Sequence, residues 1–378
     1  MRILFNFSFI NSGGGQNVAL NFIKDLEFKK DYFFLVIKNS KVHKLLKSKN
    51  FENILFTYNN RLLRLFFEFI YGKIILNKNK IEIIYTYFGY SFFPKKIPQV
   101  IGAADSNLFF PDINFWEGYS GIRLFFKKLI DKFRIYGLKN ANGIIFENPI
   151  LEKKCHELFN VKGKTITILP SINLDYNQAD LDLKVLFKNN TPSKCGLFLC
   201  GWQINKGIFK IPEIALMLKK KNIYFKFIIT APKDNSKIHL EFMRIINNYN
   251  LNNYIEIIGQ VDKSNLKSLY SQVDVVFLLS KLESFSNNII EAWSYERLIV
   301  VSDEEWSKPI CLNAAKYVDR ENIHSIVEII EDLNNEKNKF KSTIKNGLDQ
   351  LNRFPLISKK TKSELEFITK VLDYEKNS

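Results

Sequence analysis

The 378-residue sequence predicts an α/β fold of two Rossmann-like domains, each built on a parallel sheet. Three observations predict it. Short apolar runs alternate with stretches of helical periodicity along most of the chain, the pattern of a parallel sheet covered on both faces. The alternation comes in two series, separated by a polar stretch from Asn173 to Lys194 that has neither helical nor strand periodicity. The length also exceeds what one ordinary compact core organises.

Residues 1–9 form the first apolar run, followed by Ser12-Gly-Gly-Gly-Gln16 and the helical pattern Val18, Leu20, Phe22, Ile23, Leu26, which reads as strand, glycine loop and helix. Residues 32–37, 81–85, 99–102 and 143–146 are strand-like, and 165–170 leads into the polar stretch. The second series runs through 196–201, 224–229, 254–258, 273–279 and 298–301. From about Ile323 to Lys376 the pattern is helical, broken at Pro355. The expected domains are therefore 1–172, a linker at 173–194, a second domain at 195–354, and a C-terminal helix at 355–378 packing back on the first.

Hydrophobic residues at 46% and charged residues at 25% set disorder aside. Cys155, Cys195, Cys200 and Cys311 form no close pair, and His43, His156, His239 and His324 are scattered, so no zinc site is legible. Few cysteines and no leader-like start lead us to expect a cytosolic protein. No stretch approaches the roughly 18 uncharged apolar residues of a spanning helix. The net charge of +16 is uneven: residues 1–170 hold 26 Lys and Arg against 13 Asp and Glu, and the remainder 29 against 26. Such a field attracts phosphate on nucleic acid, anionic lipid or a sugar nucleotide, and charge alone does not choose among them. No nucleic-acid-binding signature accompanies it, and we expect no nucleic-acid partner. Residues 61–70 and 122–136 are basic, aromatic-rich and helical in spacing. Each fits a helix lying in a membrane interface, or a core-packed helix with a solvated basic face.

The densest constellation is Ser280-Lys-Leu-Glu-Ser-Phe-Ser-Asn-Asn-Ile-Ile-Glu-Ala292, directly after the buried-type run 273–279. Seven residues separate Glu283 from Glu291, and Ser284, Ser286, Asn287 and Asn288 open the helix that carries Glu291. Ligands of parallel sheets sit at the carboxyl ends of strands, where helix N-termini offer N–H groups to anions. The alternative is two surface glutamates flanking a helix start.

This segment, with Gly201-Trp-Gln-Ile-Asn-Lys-Gly207, Ile258-Gly-Gln-Val261, residues 266–270 and Val300-Val-Ser-Asp303, resembles the family-four retaining glycosyltransferases, glycosyl transferases group 1. The resemblance spans roughly residues 196–320, with a weaker echo at Gly13 to Gln16 and in residues 141–148. It implies the glycosyltransferase-B fold, two Rossmann-like domains facing a central cleft. It also implies a nucleotide-sugar donor on the second domain, an acceptor on the first, and closure that excludes water.

By this resemblance Glu291 holds the ribose hydroxyls, for which a carboxylate suits because it accepts two hydrogen bonds at once. Glu283 stands beside the transferred sugar, and Phe285, Ser286, Asn287 and Asn288 contact sugar or phosphate. Lys206 neutralises the departing diphosphate, the alternative being a solvated loop lysine. Trp202 occupies the place where the family commonly has an arginine, so one phosphate-binding charge is missing. Gly14 and Gly15 touch the donor phosphate within the resemblance, although a tight βα turn needs glycine for geometric reasons alone. Asp105 follows the run 99–102 where many relatives carry a histidine, and is either a catalytic polar contact or a turn residue. Asp180-Leu-Asp182 has the form of a metal-diphosphate motif but no buried strand before it, and no metal or other cofactor is expected.

Taken together the sequence leads us to expect a retaining hexosyltransferase acting on a growing, lipid-linked glycan of lipopolysaccharide O-antigen or capsule type. Its expected partners are a nucleotide-sugar donor, the glycan acceptor and an anionic membrane surface, with the protein peripheral on the inner face of the cytoplasmic membrane. A sugar-nucleotide epimerase or another enzyme of the same fold is the alternative.

Overall fold

Strands form where short apolar runs lie between polar or glycine breaks, and helices where the apolar period lengthens. The computed structural model describes residues 1–10, 13–27, 29–90, 97–172, 194–336 and 338–377. The chain divides into unit 1, Met1–Pro111, Tyr119–Asn173 and Phe354–Ser378, and unit 2, Asp112–Gly118 and Leu174–Arg353.

Unit 1 holds β1 (Ile3–Asn6), β2 (Tyr32–Ile37), β3 (Ile54–Thr57), β4 (Ile83–Thr86), β5 (Gln99–Ala103), β6 (Gly143–Phe146) and β7 (Lys164–Thr167). They pair in parallel in the order β3-β2-β1-β4-β5-β6-β7. Between them run α1 (Gly13–Asp25), α2 (Lys41–Ser48), α3 (Arg61–Lys78), α4 (Gly121–Asn140) and α5 (Pro149–Phe159). Local chemistry sets the helix starts: Ser40 Oγ accepts from His43 N at 3.1 Å to cap α2, and Asn148 caps α5 with Pro149 at its first position. The last helix, α13 (Ile357–Asn377), adds Phe367, Ile368, Val371 and Leu372 to the core of Phe5, Phe34 and Tyr85.

Unit 2 holds β8 (Cys195–Phe198), β9 (Lys226–Ile229), β10 (Ile255–Ile257), β11 (Val275–Leu278), β12 (Leu298–Ser302) and β13 (Lys316–Val318), parallel in the order β10-β9-β8-β11-β12-β13. Its helices are α6 (Lys210–Lys220), α7 (Lys237–Asn248), α8 (Leu266–Ser271), α9 (Asn287–Ser294), α10 (Lys308–Cys311), α11 (Ile323–Asn335) and α12 (Lys341–Leu351). Ile211, Ile214 and Leu218 of α6 pack with Phe225, Phe227 and Phe277, and each such side chain contributes about 1.5–3 kcal/mol on burial. Gly196 on β8 is required by that packing, since a Cβ there would lie 2.5 Å from the Phe277 ring.

The α/β class with two parallel Rossmann-like sheets is as predicted. Two strands were not among the expected runs, β3 and β13. Both are sheet edges with only part of their residues buried, so their apolar signal is short. The expected glycine loop is corrected: Gly13, Gly14 and Gly15 form the first turn of α1. Asp180 and Asp182, and the linker apart from Lys194, lie outside the described residues.

Candidate active site

In unit 2 the strand order reverses between β8 and β11, which are neighbours, with Val275 paired to Gly196. At such a reversal the two loops leaving the carboxyl ends diverge and open a crevice. The loop after β8 runs through Cys200, Gly201 and Trp202 to a 3-10 turn over Ile204–Lys206, and Gly207 follows at φ +81°. A Cβ on Gly207 would lie 2.5 Å from Leu279 O, so glycine lets this loop close on the end of β11. Lys281 N donates to Asn205 O at 2.8 Å, tying the two loops together beside Lys206.

The result is an ion pair between Lys206 Nζ and Glu283 Oε1, 77 residues apart in sequence. Ser280 Oγ donates to the same carboxylate oxygen at 2.7 Å, and Glu283 is buried while Lys206 keeps part of its side chain in solvent. Ser286 precedes α9 in extended conformation, Asn287 opens the helix, and Asn288 Nδ2 donates to Leu199 O at 3.0 Å. That bond holds the start of α9 against the end of β8. On the next turn Glu291 Oε2 accepts from Tyr270 OH at 2.9 Å, and the Tyr270 ring stacks on Tyr295 at 5.0 Å. Burial pushes the Cys200 thiol up to about 12, so the nearest sulfur stays protonated and is no nucleophile.

The structure therefore brings Lys206, Glu283 and Phe285 to Asn288 to one place, with Glu291 on the helix they open. Trp202 turns elsewhere. Its indole stacks on His239 with centroids 4.6 Å apart, contacts Phe242, and donates from Nε1 to Pro232 O at 2.5 Å. The missing arginine has thus been replaced by packing of the β8 loop onto α7. A buried cation does stand next to that loop: Arg320 donates from Nη1 to Asn205 O at 3.3 Å and pairs through Nε with Glu321. Sequence reasoning missed Ser280, Tyr270 and Arg320. The first two lay inside quoted motifs, whereas Arg320 carried no local signal.

Gly14, Gly15 and Asp105 belong to unit 1. Gly14 and Gly15 begin α1 just beyond β1, and a Cβ on Gly15 would meet the Phe88 ring at 3.3 Å. Asp105 follows β5, where its Oδ1 pairs with Arg134 Nη2 of α4 at 3.0 Å and caps no helix through its side chain. Asp105 and Arg134 line a concavity with Gly89, Tyr90, Gly102 and Leu138.

Residues 191–350 match the family described as glycosyl transferases group 1. The match covers 160 of the 378 residues and falls within unit 2. No curated protein matches the chain. Among solved structures the chain is similar to sucrose-phosphate synthase from Thermosynechococcus elongatus, with TM-score 0.75 and 14% identity over 99% of this chain and 100% of that one. It is similar also to a glycosyltransferase from Rickettsia africae, with TM-score 0.69 and 17% identity over 98% of each chain. Anabaena HepE in complex with UDP-glucose matches with TM-score 0.70 and 12% identity over 98% of this chain and 100% of that one. At these identities the likeness establishes the glycosyltransferase-B fold and nothing finer.

Proposed function

We propose that this protein is a glycosyltransferase, a retaining hexosyltransferase that moves a sugar from a nucleotide-sugar donor to a growing, lipid-linked surface glycan of O-antigen or capsule type. It would work peripherally on the inner face of the cytoplasmic membrane. The observation that carries the reading is the meeting of Lys206 and Glu283 at the strand reversal of unit 2. A diphosphate entering there competes with Glu283 for the Lys206 ammonium. As the bond from the sugar C1 to the diphosphate oxygen breaks, that ammonium stabilises the charge that develops on the leaving group. The freed Glu283 carboxylate then accepts from hydroxyls of the transferred sugar. The acceptor oxygen bonds to C1 on the same face, and its proton passes to the departing phosphate. Glu291, one face along α9, accepts from the ribose hydroxyls.

No step in this reading is routed through a metal ion, so a chelator leaves turnover unchanged. Among the described residues no three His, Cys, Asp or Glu side chains gather as metal ligands. The membrane clause rests on the basic first half and on the exposed apolar residues of α3 and α4. Among the described residues no helix is long and apolar enough to cross a membrane. Replacing Arg123, Lys127, Lys128 and Lys132 of α4 with Gln should weaken sedimentation with anionic vesicles, at about 1 kcal/mol per basic residue.

The deciding experiment is thermal stabilisation by UDP, GDP, ADP and their sugars, followed by transfer from the donor that stabilises. UDP sugars come first because HepE was solved with UDP-glucose. A ligand at 100 times its dissociation constant stabilises by about 2.7 kcal/mol. We expect one base to stabilise selectively and the product to keep the donor's anomeric configuration. Indifference to every nucleotide overturns the reading, and an inverted product overturns its retaining clause.

A further inference from the structure

Two concavities of unit 1 share one helix. Leu65 and Phe69 of α3 face Leu129, Lys132, Phe133 and Tyr136 of α4 across a groove that encloses about 550 Å³, within the roughly 300–1,000 Å³ of small-molecule pockets. One turn further on, Arg134 and Leu138 of α4 line the second concavity with Gly102 and Asp105. The two are joined by an edge-to-face contact of Tyr136 with Tyr90, ring centroids 6.0 Å apart.

The chemistry changes along that path. Large apolar side chains that line the groove stand in solvent: Phe69 of α3 is 77% exposed, and Phe133 and Tyr136 of α4 are 45% and 40%. A cluster of this kind marks a binding surface rather than scattered surface apolar residues. The same helix carries Arg123, Lys127, Lys128, Lys132, Arg134 and Lys139 against Asp131 alone. Apolar faces edged with one sign of charge match an amphiphile with a hydrocarbon chain and an anionic head. At the inner end Arg134 bonds Asp105 at 3.0 Å and Asp131 at 3.1 Å. A guanidinium has five N–H donors in a planar fork, more than those two bonds use.

We infer that the α3–α4 groove seats the hydrocarbon chain of a phosphate-bearing lipid, with Lys132 and Arg134 receiving its phosphate. The inference rests on the lipid-linked acceptor proposed above. It adds the place in unit 1 where that acceptor lies and the side chains that choose it.

The test is calorimetric binding of farnesyl phosphate below its micelle concentration to the full chain, beside farnesol, inorganic phosphate and an acidic glutamate-rich peptide. We expect farnesyl phosphate to bind, farnesol to bind at least tenfold more weakly, and the other two not to bind. Phe133→Asp should abolish binding and Lys132→Gln should weaken it about tenfold. Circular dichroism checks that both variants fold, and the exposed Lys132 provides the variant least able to disturb the fold. Absence of farnesyl phosphate binding, binding unchanged by both variants, or preference for the acidic peptide overturns the inference. Nucleotide stabilisation is recorded on the same samples. Nucleotide binding without farnesyl phosphate binding removes the groove assignment and leaves the donor site standing, and the reverse result removes the donor reading alone.

Discussion

Strand β1 of unit 1 and strand β8 of unit 2 hold the same place in their sheets, each beside the strand where the order reverses, yet the loops that leave them carry different chemistry. After β8 the loop presents Lys206 to Glu283, a pair between two loops that keeps part of the lysine in solvent. After β1 come Ser8 and Phe9, with the Arg64 guanidinium 4.0 Å over the Phe9 ring and donating to Ser8 O at 2.7 Å. Unit 1 does join charges across long sequence distances, but under α13. There Lys360 Nζ lies 2.5 Å from Glu147 and 3.7 Å from Glu364, and Tyr85 and Tyr87 donate to Glu364. All three charged residues are buried. A pair that solvent and ligand can reach is free to exchange partners during a reaction. An enclosed cluster can only hold the helix that carries it, because breaking it leaves an unpaired charge in a poor solvent.

The largest effect that separates the two clusters should come from Lys360→Met. It strands Glu147 and Glu364 without their ammonium and should cost unit 1 about 3–5 kcal/mol in denaturant unfolding, with nucleotide affinity unchanged. A parallel loss of nucleotide binding would break the division of roles. The same cluster gives a pH signature. Burial pushes the Glu364 carboxyl up to about 7 from 4.5, with Lys360 opposing the rise and Glu147 adding to it. A carboxyl raised in the folded state binds its proton more tightly there. Its contribution is therefore full below about 4.5 and is lost as pH rises through about 7. Melting temperature should fall across that window, and Glu364→Gln should flatten the slope.

Lys206→Ala tests the other side. We expect turnover to fall about 10²–10³-fold, the scale of losing one donor that stabilises developing charge, with a smaller loss of stability than Lys360→Met because Ser280 still donates to Glu283. Unchanged turnover would make the pair structural, like the cluster under α13. Glu291→Ala should weaken nucleotide binding by about 1.5–3 kcal/mol in calorimetry, as for hydrogen bonds to a charged group. Tyr270→Phe, which removes the hydroxyl donor to Glu291, should cost about 0.5–1.5 kcal/mol of that affinity. A larger loss for Tyr270→Phe than for Glu291→Ala would show that the phenol, and not the carboxylate, is what the nucleotide meets.

Much of the fold was legible because strand runs and helix periods are local. The central strands β1, β8 and β11 are buried along their whole length and read as unbroken apolar runs. Edge strands β3 and β13 need less burial and were not recognised. The glycine run misled in a different way. Three glycines suggest a loop by propensity, yet α1 starts on them, with Gly15 lying where a Cβ would come within 3.3 Å of the Phe88 ring. Trp202 could be read as a departure from a family pattern, but its stacking on His239 required a partner 37 residues away.

By itself the sequence determined the α/β class, the two series of strands, and the segment 280–292 with its two glutamates, since each is written in neighbouring residues. Tertiary structure decided which distant side chains meet. Lys206 finds Glu283 because β8 lies beside β11, and Lys360 finds Glu147, 213 residues away, because α13 packs across unit 1. Periodicity records which face of an element seeks burial, whereas the order of strands in a sheet is set by packing the whole chain at once.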